Sequence, residues 1–194
     1  MKLLKAHGEY PKVIYRVFDK YEYAKDFING KIRFSKLSYY TGIEDIARKD
    51  ITEGESHIIY DESKHYHSRF ASNSFYILCF HKTLETAKQS KFGKYIVEIN
   101  EPKNLAGKIS NYLSIQSDKH FGGIEGVNID YSFGEKISKK PTSVLMAKLT
   151  YSQKPPMFSE ENEFRFIFIK EHSEIQHVFI VLEDEIHDCK ILDL

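Results

Sequence analysis

The sequence predicts an α+β domain with a mixed, mostly antiparallel sheet and two or three helices. Short runs of β-branched and aromatic residues recur along the whole chain, while only a few segments space their apolar residues at a helical period. No internal repeat, low-complexity tract or linker interrupts the 194 residues, so the reading is a single domain over 1–194.

Taken in order, KVIYRVF (12–18) reads as the first strand, and YEYAKDFIN (21–29) as a helix with Tyr23, Phe27 and Ile28 on one side, ended by Asn29-Gly30. KIRFSKL (31–37) is the second strand. A polar loop follows over 39–55, with a short helical pattern at 43–47 and turn chemistry at Glu53-Gly54. HIIYDESKHYHSRF (57–70) holds a strand and a polar connection, and the continuous apolar run SFYILCF (74–80) suits a central strand. GKYIVEI (93–99) is a further strand, and Pro102 opens a helix reaching about residue 112. GVNIDYSF (126–133) reads as a strand. Alternation of Val144 and Met146 against Leu145, Ala147 and Leu149 predicts another over 141–151. Pro155-Pro156 imposes an extended turn, and HVFIVLE (177–183) forms the last strand.

Between them lies EENEFRFIFIK (160–170). Period two puts Glu161, Glu163 and Arg165 on one face and Phe164, Phe166 and Phe168 on the other. The phenylalanine face is built for a core. The charged face is either solvated or functional.

Lys plus Arg and Asp plus Glu both total 28, so the formal net charge is zero and there is no overall pull toward nucleic acid or membrane. Toward its end the chain turns acidic, with seven acids from Glu171 to Asp193 against Lys190 alone. Cys79 and Cys189 make no disulfide framework, and no apolar run approaches a signal peptide or a membrane span; a cytoplasmic protein is expected. His65 and His67, with His57 nearby, have a spacing that lets imidazoles reach one metal from a strand. No Cys pair or HExxH stands beside them and nine His are spread over the chain, so they read as surface histidines and no metal is assigned. The Gly122-Gly123 and Gly126 cluster lacks the Lys-Ser/Thr of a phosphate loop, and Ser35 and Ser38 lack a GxSxG elbow.

Tyr15-Arg16 in the first strand, Phe34-Ser35 in the second and Glu161-x-Glu163 late in the chain resemble the arginine, serine and glutamate pattern of mono-ADP-ribosyltransferases. The departure is at the serine, where Ser35-Lys36-Leu37-Ser38 replaces the family's serine-threonine-serine motif. More broadly, YRVF, GKIRFS, the polar loop, ILCFHK and ENEFR resemble an uncharacterised bacterial and phage protein family with YR, GxIxF, CFS and late ExExR motifs. Gly42-Ile43-Glu44-Asp45 stands where many members carry Asn-Asp-Pro, and His81 where Ser is usual.

The first resemblance implies an ADP-ribosyltransferase-like fold, NAD as substrate and a protein or nucleic-acid acceptor, in a setting of phage–bacterium conflict. Glu163 would stabilise the cation formed on the ribose, Glu161 would orient or deprotonate the acceptor, Ser35 would support Glu163 or the nicotinamide ribose, and Arg16 would hold a phosphate. Tyr39 or Tyr40 would stack on the nicotinamide, against a competing role as packed aromatics. Two alternatives stand beside this one: a non-catalytic interaction protein, in which the same charges form an internal ion-pair system, and a nuclease or other hydrolase.

Overall fold

The computed structural model describes residues 7–40, 52–60, 64–69, 75–116, 123–170 and 174–192. The order is β1 (His7–Gly8), β2 (Val13–Phe18), α1 (Tyr21–Ile28), β3 (Lys31–Lys36), a 3-10 turn (Leu37–Tyr39), β4 (Glu55–Tyr60), β5 (Lys64–Arg69), β6 (Phe75–His81), α2 (Leu84–Lys88), β7 (Tyr95–Asn100) and α3 (Pro102–Ile115). Then come β8 (Glu125–Asn128), β9 (Lys136–Ile137), α4 (Ser143–Ser152), a second 3-10 turn (Pro156–Glu161), β10 (Glu163–Ile169), β11 (His177–Val181) and β12 (Cys189–Leu192). The expected α+β class holds, with four α-helices among the described residues in place of two or three. None of those helices is long and apolar enough to cross a membrane.

Local chemistry accounts for most boundaries. α1 ends at Asn29, and Gly30 follows with φ +81°, a left-handed conformation in which a side chain would also press on the Leu182 and Asp184 carbonyls. Thr83 and Thr142 cap α2 and α4, each accepting from the backbone N–H three residues on. Pro102 opens α3, where a missing N–H costs no helical bond.

The main sheet runs β1-β8-β10-β6-β2-β7-β12, with β3 joined to both β6 and β11. Every pairing in it is antiparallel except β1 with β8. One face packs against α1 and α3, burying Phe164, Phe166, Phe168, Tyr76 and Phe80 with Phe27, Leu105 and Ile109. A smaller sheet, β5-β4-β9, packs on α4 through Ile58, Met146 and Leu149.

The segment expected as a strand over 141–151 is α4 instead. Val144 to Ala147 is an unbroken apolar run, so alternation and helical period both fit it, and the Thr142 cap decides in favour of the helix. In the helix Met146, Leu149 and Thr150 are buried while Val144 is 78% exposed. Leu149→Ala should therefore destabilise by about 2–5 kcal/mol. Val144→Ala should change stability by no more than about 0.5 kcal/mol in the same urea titration. A strand would instead have placed Val144 and Met146 on one face.

Candidate functional site

β10 and β6 form the centre of the sheet in a register that sets Glu163 opposite His81, Arg165 opposite Cys79 and Ile167 opposite Ile77. Cross-strand partners share a face, so these six side chains stand together, opposite the phenylalanine face. Ile77 and Ile167 join Leu37, Phe75 and Val127 in a second apolar cluster. The charged groups of this face are not solvated: Arg165 is 1% exposed, and Glu163 and Glu53 5% each.

Arg165 is satisfied by three chain segments. It is bidentate to Glu53 in the turn before β4, with Nη2–Oε2 at 2.9 Å. It is also paired with Glu163 through Nε–Oε1 at 2.6 Å and Nη2–Oε2 at 3.2 Å. Nη1 donates to the Tyr151 carbonyl at the end of α4. Lys154, just past α4, bridges Glu163 at 2.8 Å and Glu161 at 2.7 Å. Three carboxylates, Glu53, Glu161 and Glu163, thus face two cations, Lys154 and Arg165.

Glu161 does not share the strand with Glu163, as simple alternation would have it. It closes the 3-10 turn, and Asn162 at φ +44° breaks the period; Asn tolerates this left-handed conformation better than most residues. The two carboxylates meet only through Lys154. Their environments differ accordingly. Burial would raise the Glu163 pKa, but Arg165 and Lys154 outweigh it and hold the carboxyl well below the usual carboxylate range. At Glu161 burial prevails over Lys154 and raises the pKa, with Glu163 adding to the effect.

Beside this network the sheet forks. β6 pairs with β3 at Tyr76 and Ile77, and with β2 only at His81. Between those points no strand among the described residues pairs with β6 on that side, and Arg16 from β2 reaches in, its Nη1 donating to the Cys79 carbonyl. The Arg16 guanidinium stacks over Phe18 and Phe80, 5.4 and 5.8 Å from their centroids. Its Nε is buried without a hydrogen-bond partner, and no carboxylate among the described residues pairs with it. Burial lowers its proton affinity, although a guanidinium stays charged.

Ser35 and Tyr40 line the other branch of the fork. Ser35 is buried, its hydroxyl 3.1 Å from His177 Nδ1, and it lies near the Tyr40 phenol, whose pKa burial pushes up. Tyr39 lies edge-on to both Tyr40 and His177. The Cys79 thiol, beside Glu163, is raised well above its ordinary pKa by burial and by that carboxylate. Arg16, Ser35, Tyr40 and Glu163 therefore gather around Cys79. Tyr39 stands one ring further out, and Glu161 lies on the far side of Lys154. Of the polar loop, Glu44, Asp45, Arg48 and Asp50 lie outside the described residues, and Glu53 belongs to the ion network.

An open cleft of about 250 Å³ leads to Glu161, lined also by His81, Thr86, Phe92, Met157 and Phe158. That is just under the usual span for a small-molecule site, roughly 300–1,000 Å³. His81 Nδ1–H donates to the Glu161 carbonyl, and burial lowers the pKa of its imidazole. Sequence reasoning missed Lys154 and His81 as members of the site. Lys154 showed only as a residue before Pro155-Pro156, nine positions from Glu163, with nothing to mark which carboxylate it meets.

No protein-family model, curated protein or solved structure matches the chain.

The network makes two outcomes measurable. Glu163→Gln leaves Arg165 and Lys154 short of a buried counter-charge and should destabilise by about 3–5 kcal/mol in urea unfolding. Because the folded pKa of Glu163 is depressed, its stabilisation is complete above the unfolded value of about 4.3. It should be lost as pH falls from there through the folded value. Glu161, raised in the folded state, acts in the opposite sense and partly offsets that loss. Stability measured from pH 7 downward should therefore fall less steeply below about pH 4.5 in Glu163→Gln than in wild type.

Proposed function

We propose that the protein is a mono-ADP-ribosyltransferase that cleaves NAD at the nicotinamide glycosidic bond and passes ADP-ribose to a macromolecular acceptor. The observation that carries this reading is Arg16: a desolvated guanidinium at a fork in the sheet, its Nε buried without a hydrogen-bond partner and no carboxylate paired with it among the described residues. A buried cation without a contact counter-ion is costly, and a phosphate supplies the charge and two acceptor oxygens that the planar guanidinium fork can engage together. Ser35, Tyr40 and Glu163 surround the same fork, so the residues of the arginine, serine and glutamate resemblance share one neighbourhood. The split at β6 supports the corresponding fold reading, ADP-ribosyltransferase-like.

The two carboxylates then divide the chemistry. As the glycosidic bond breaks, its electron pair leaves with nicotinamide and positive charge builds on the ribose. Glu163, held ionised by its cations, supplies a fixed negative charge to that region. Glu161, at the cleft and with raised proton affinity, accepts the proton of the acceptor nucleophile as it attacks. Ser35 and Tyr40 shape the nicotinamide side, with Tyr39 behind them. For the ribose to approach Glu163, Lys154 gives up one of its two carboxylates. Met157, 80% exposed on the rim beside Glu161, is where a macromolecular acceptor would rest.

A second reading, an interaction protein without catalysis, is favoured by one observation: Arg165 and Lys154 already occupy the Glu163 carboxylate.

Incubation with NAD labelled in the adenosine moiety and a bacterial extract separates the two. Wild type should release nicotinamide and label a macromolecular fraction. Glu161→Gln should lower turnover at least ~10²-fold in a protein that stays folded by circular dichroism. Arg16→Lys should weaken NAD use because a point charge replaces a planar fork. Absence of NAD binding and cleavage by wild type overturns the transferase reading and leaves the interaction protein.

A further inference from the structure

We propose that the outer face of the β4–β5 hairpin is a three-histidine site for a divalent transition metal, Zn²⁺ in the first place. The proposal is independent of the transferase reading.

The hairpin register pairs His57 with His67 and Ile59 with His65. Period two then puts His57, His65 and His67 on one face and Ile58 and Tyr66 on the other. Packing of Ile58 and Tyr66 with Met146 and Leu149 fixes the second face as the inner one. All three imidazoles must therefore stand outside together. A one-residue slip would bury them, so the same apolar contacts that hold the hairpin in register also assemble the cluster.

One ring nitrogen from each histidine lies within 4.8 Å of the others. His57 Nε2 and His65 Nδ1 are 3.1 Å apart, and the His57 and His67 rings stack at 3.9 Å with an interplanar angle of 15°. Tetrahedral Zn²⁺ at about 2.0–2.1 Å from each nitrogen needs ligand atoms about 3.3 Å apart. The first pair is already there, and exposed His65 and His67 can close the remainder by side-chain rotation.

The position of His57 is fixed from below. Its N–H donates to Gln153 Oε1 at 3.0 Å, and its carbonyl accepts from the Gly134 N–H at 2.8 Å. Phe133 lies edge-on to its ring. Thus one ligand is anchored and two can adapt.

The donor set selects the metal. Three neutral imidazoles with no carboxylate in the group suit Zn²⁺, Cu²⁺ or Ni²⁺ and do not suit Mg²⁺ or Ca²⁺, which take oxygen ligands. With three protein ligands and an exposed outer side, the fourth position is open to water.

The test uses the full chain without a polyhistidine tag, stripped with chelator and titrated with ZnCl₂ by calorimetry. Wild type should bind about one equivalent, and its melting temperature should rise with Zn²⁺ as for any ligand of the folded state alone. MgCl₂ should do neither. Co²⁺ as a spectroscopic probe should give the intense visible bands of a tetrahedral nitrogen site. Loss of a partner that only orients a ligand already costs ~10–100-fold in affinity, so His65→Ala and His67→Ala, each removing a ligand, should cost at least that. These positions are exposed, so the far-ultraviolet circular dichroism should be unchanged. No saturable Zn²⁺ binding by wild type, or undiminished binding by the His65→Ala/His67→Ala double variant, overturns the site.

Discussion

The Arg165 guanidinium, enclosed between Glu53 and Glu163, is the contact on which this side of the molecule depends. It joins β10 to a turn 112 positions earlier in the chain and to the end of α4 through the Tyr151 carbonyl. A buried ion pair is not in itself a strong source of stability, since desolvating its members offsets much of their attraction. What it supplies is specificity: an arginine inside the protein tolerates few arrangements of its neighbours, and this one requires that three segments arrive together. The apolar cluster of Leu37, Phe75, Ile77, Val127 and Ile167, with Tyr151 packed against it, lies on the same face of β6 and β10 as these charges.

A second constraint is the fork at β6. A strand that pairs with β3 near one end and β2 near the other leaves part of its edge without a ladder, and buried carbonyls need a donor. Arg16 provides it at Cys79. The side chain that repairs the sheet is therefore also the one that carries into the fork a charge that no carboxylate among the described residues pairs with. Structure and candidate chemistry rest on the same residue for the same reason: a long, planar, multiply donating cation reaches where a strand does not.

Glu161 and Glu163, two residues apart, have been driven in opposite directions. Two cations in contact keep Glu163 ionised, whereas Glu161 shares one of them and sits beside a cleft. Pairs of carboxylates separated in this way are how one site can supply a fixed charge and a proton acceptor together. The three histidines lie elsewhere, yet Gln153, which holds His57, is the neighbour of Lys154 in sequence. Both features hang from the C-terminal end of α4.

The sequence by itself determined the longer strands of the main sheet and the faces of β10, while β1 and β9 went unread and β12 follows HVFIVLE, which reads as the last strand. Alternation in EFRFIFI fixes Phe164, Phe166 and Phe168 against Glu163 and Arg165, because a pleated strand has no other way to place them. The Asn29-Gly30 helix end and the Pro102 helix start were legible for equally local reasons. Where local patterns were degenerate the sequence misled: 144–147 is an unbroken apolar run that fits either period, so the helix could be told from a strand only by its cap and its packing. Long-range pairing had no local signature at all. Nothing near Arg165 in sequence points to Glu53, nothing near Glu163 reveals that Lys154 covers it, and His57 stands eight and ten residues from its two partners until the hairpin closes. Those choices belong to the tertiary structure, because a charge on a strand becomes solvated, paired or reactive according to what packs over it, and what packs over it comes from elsewhere in the chain.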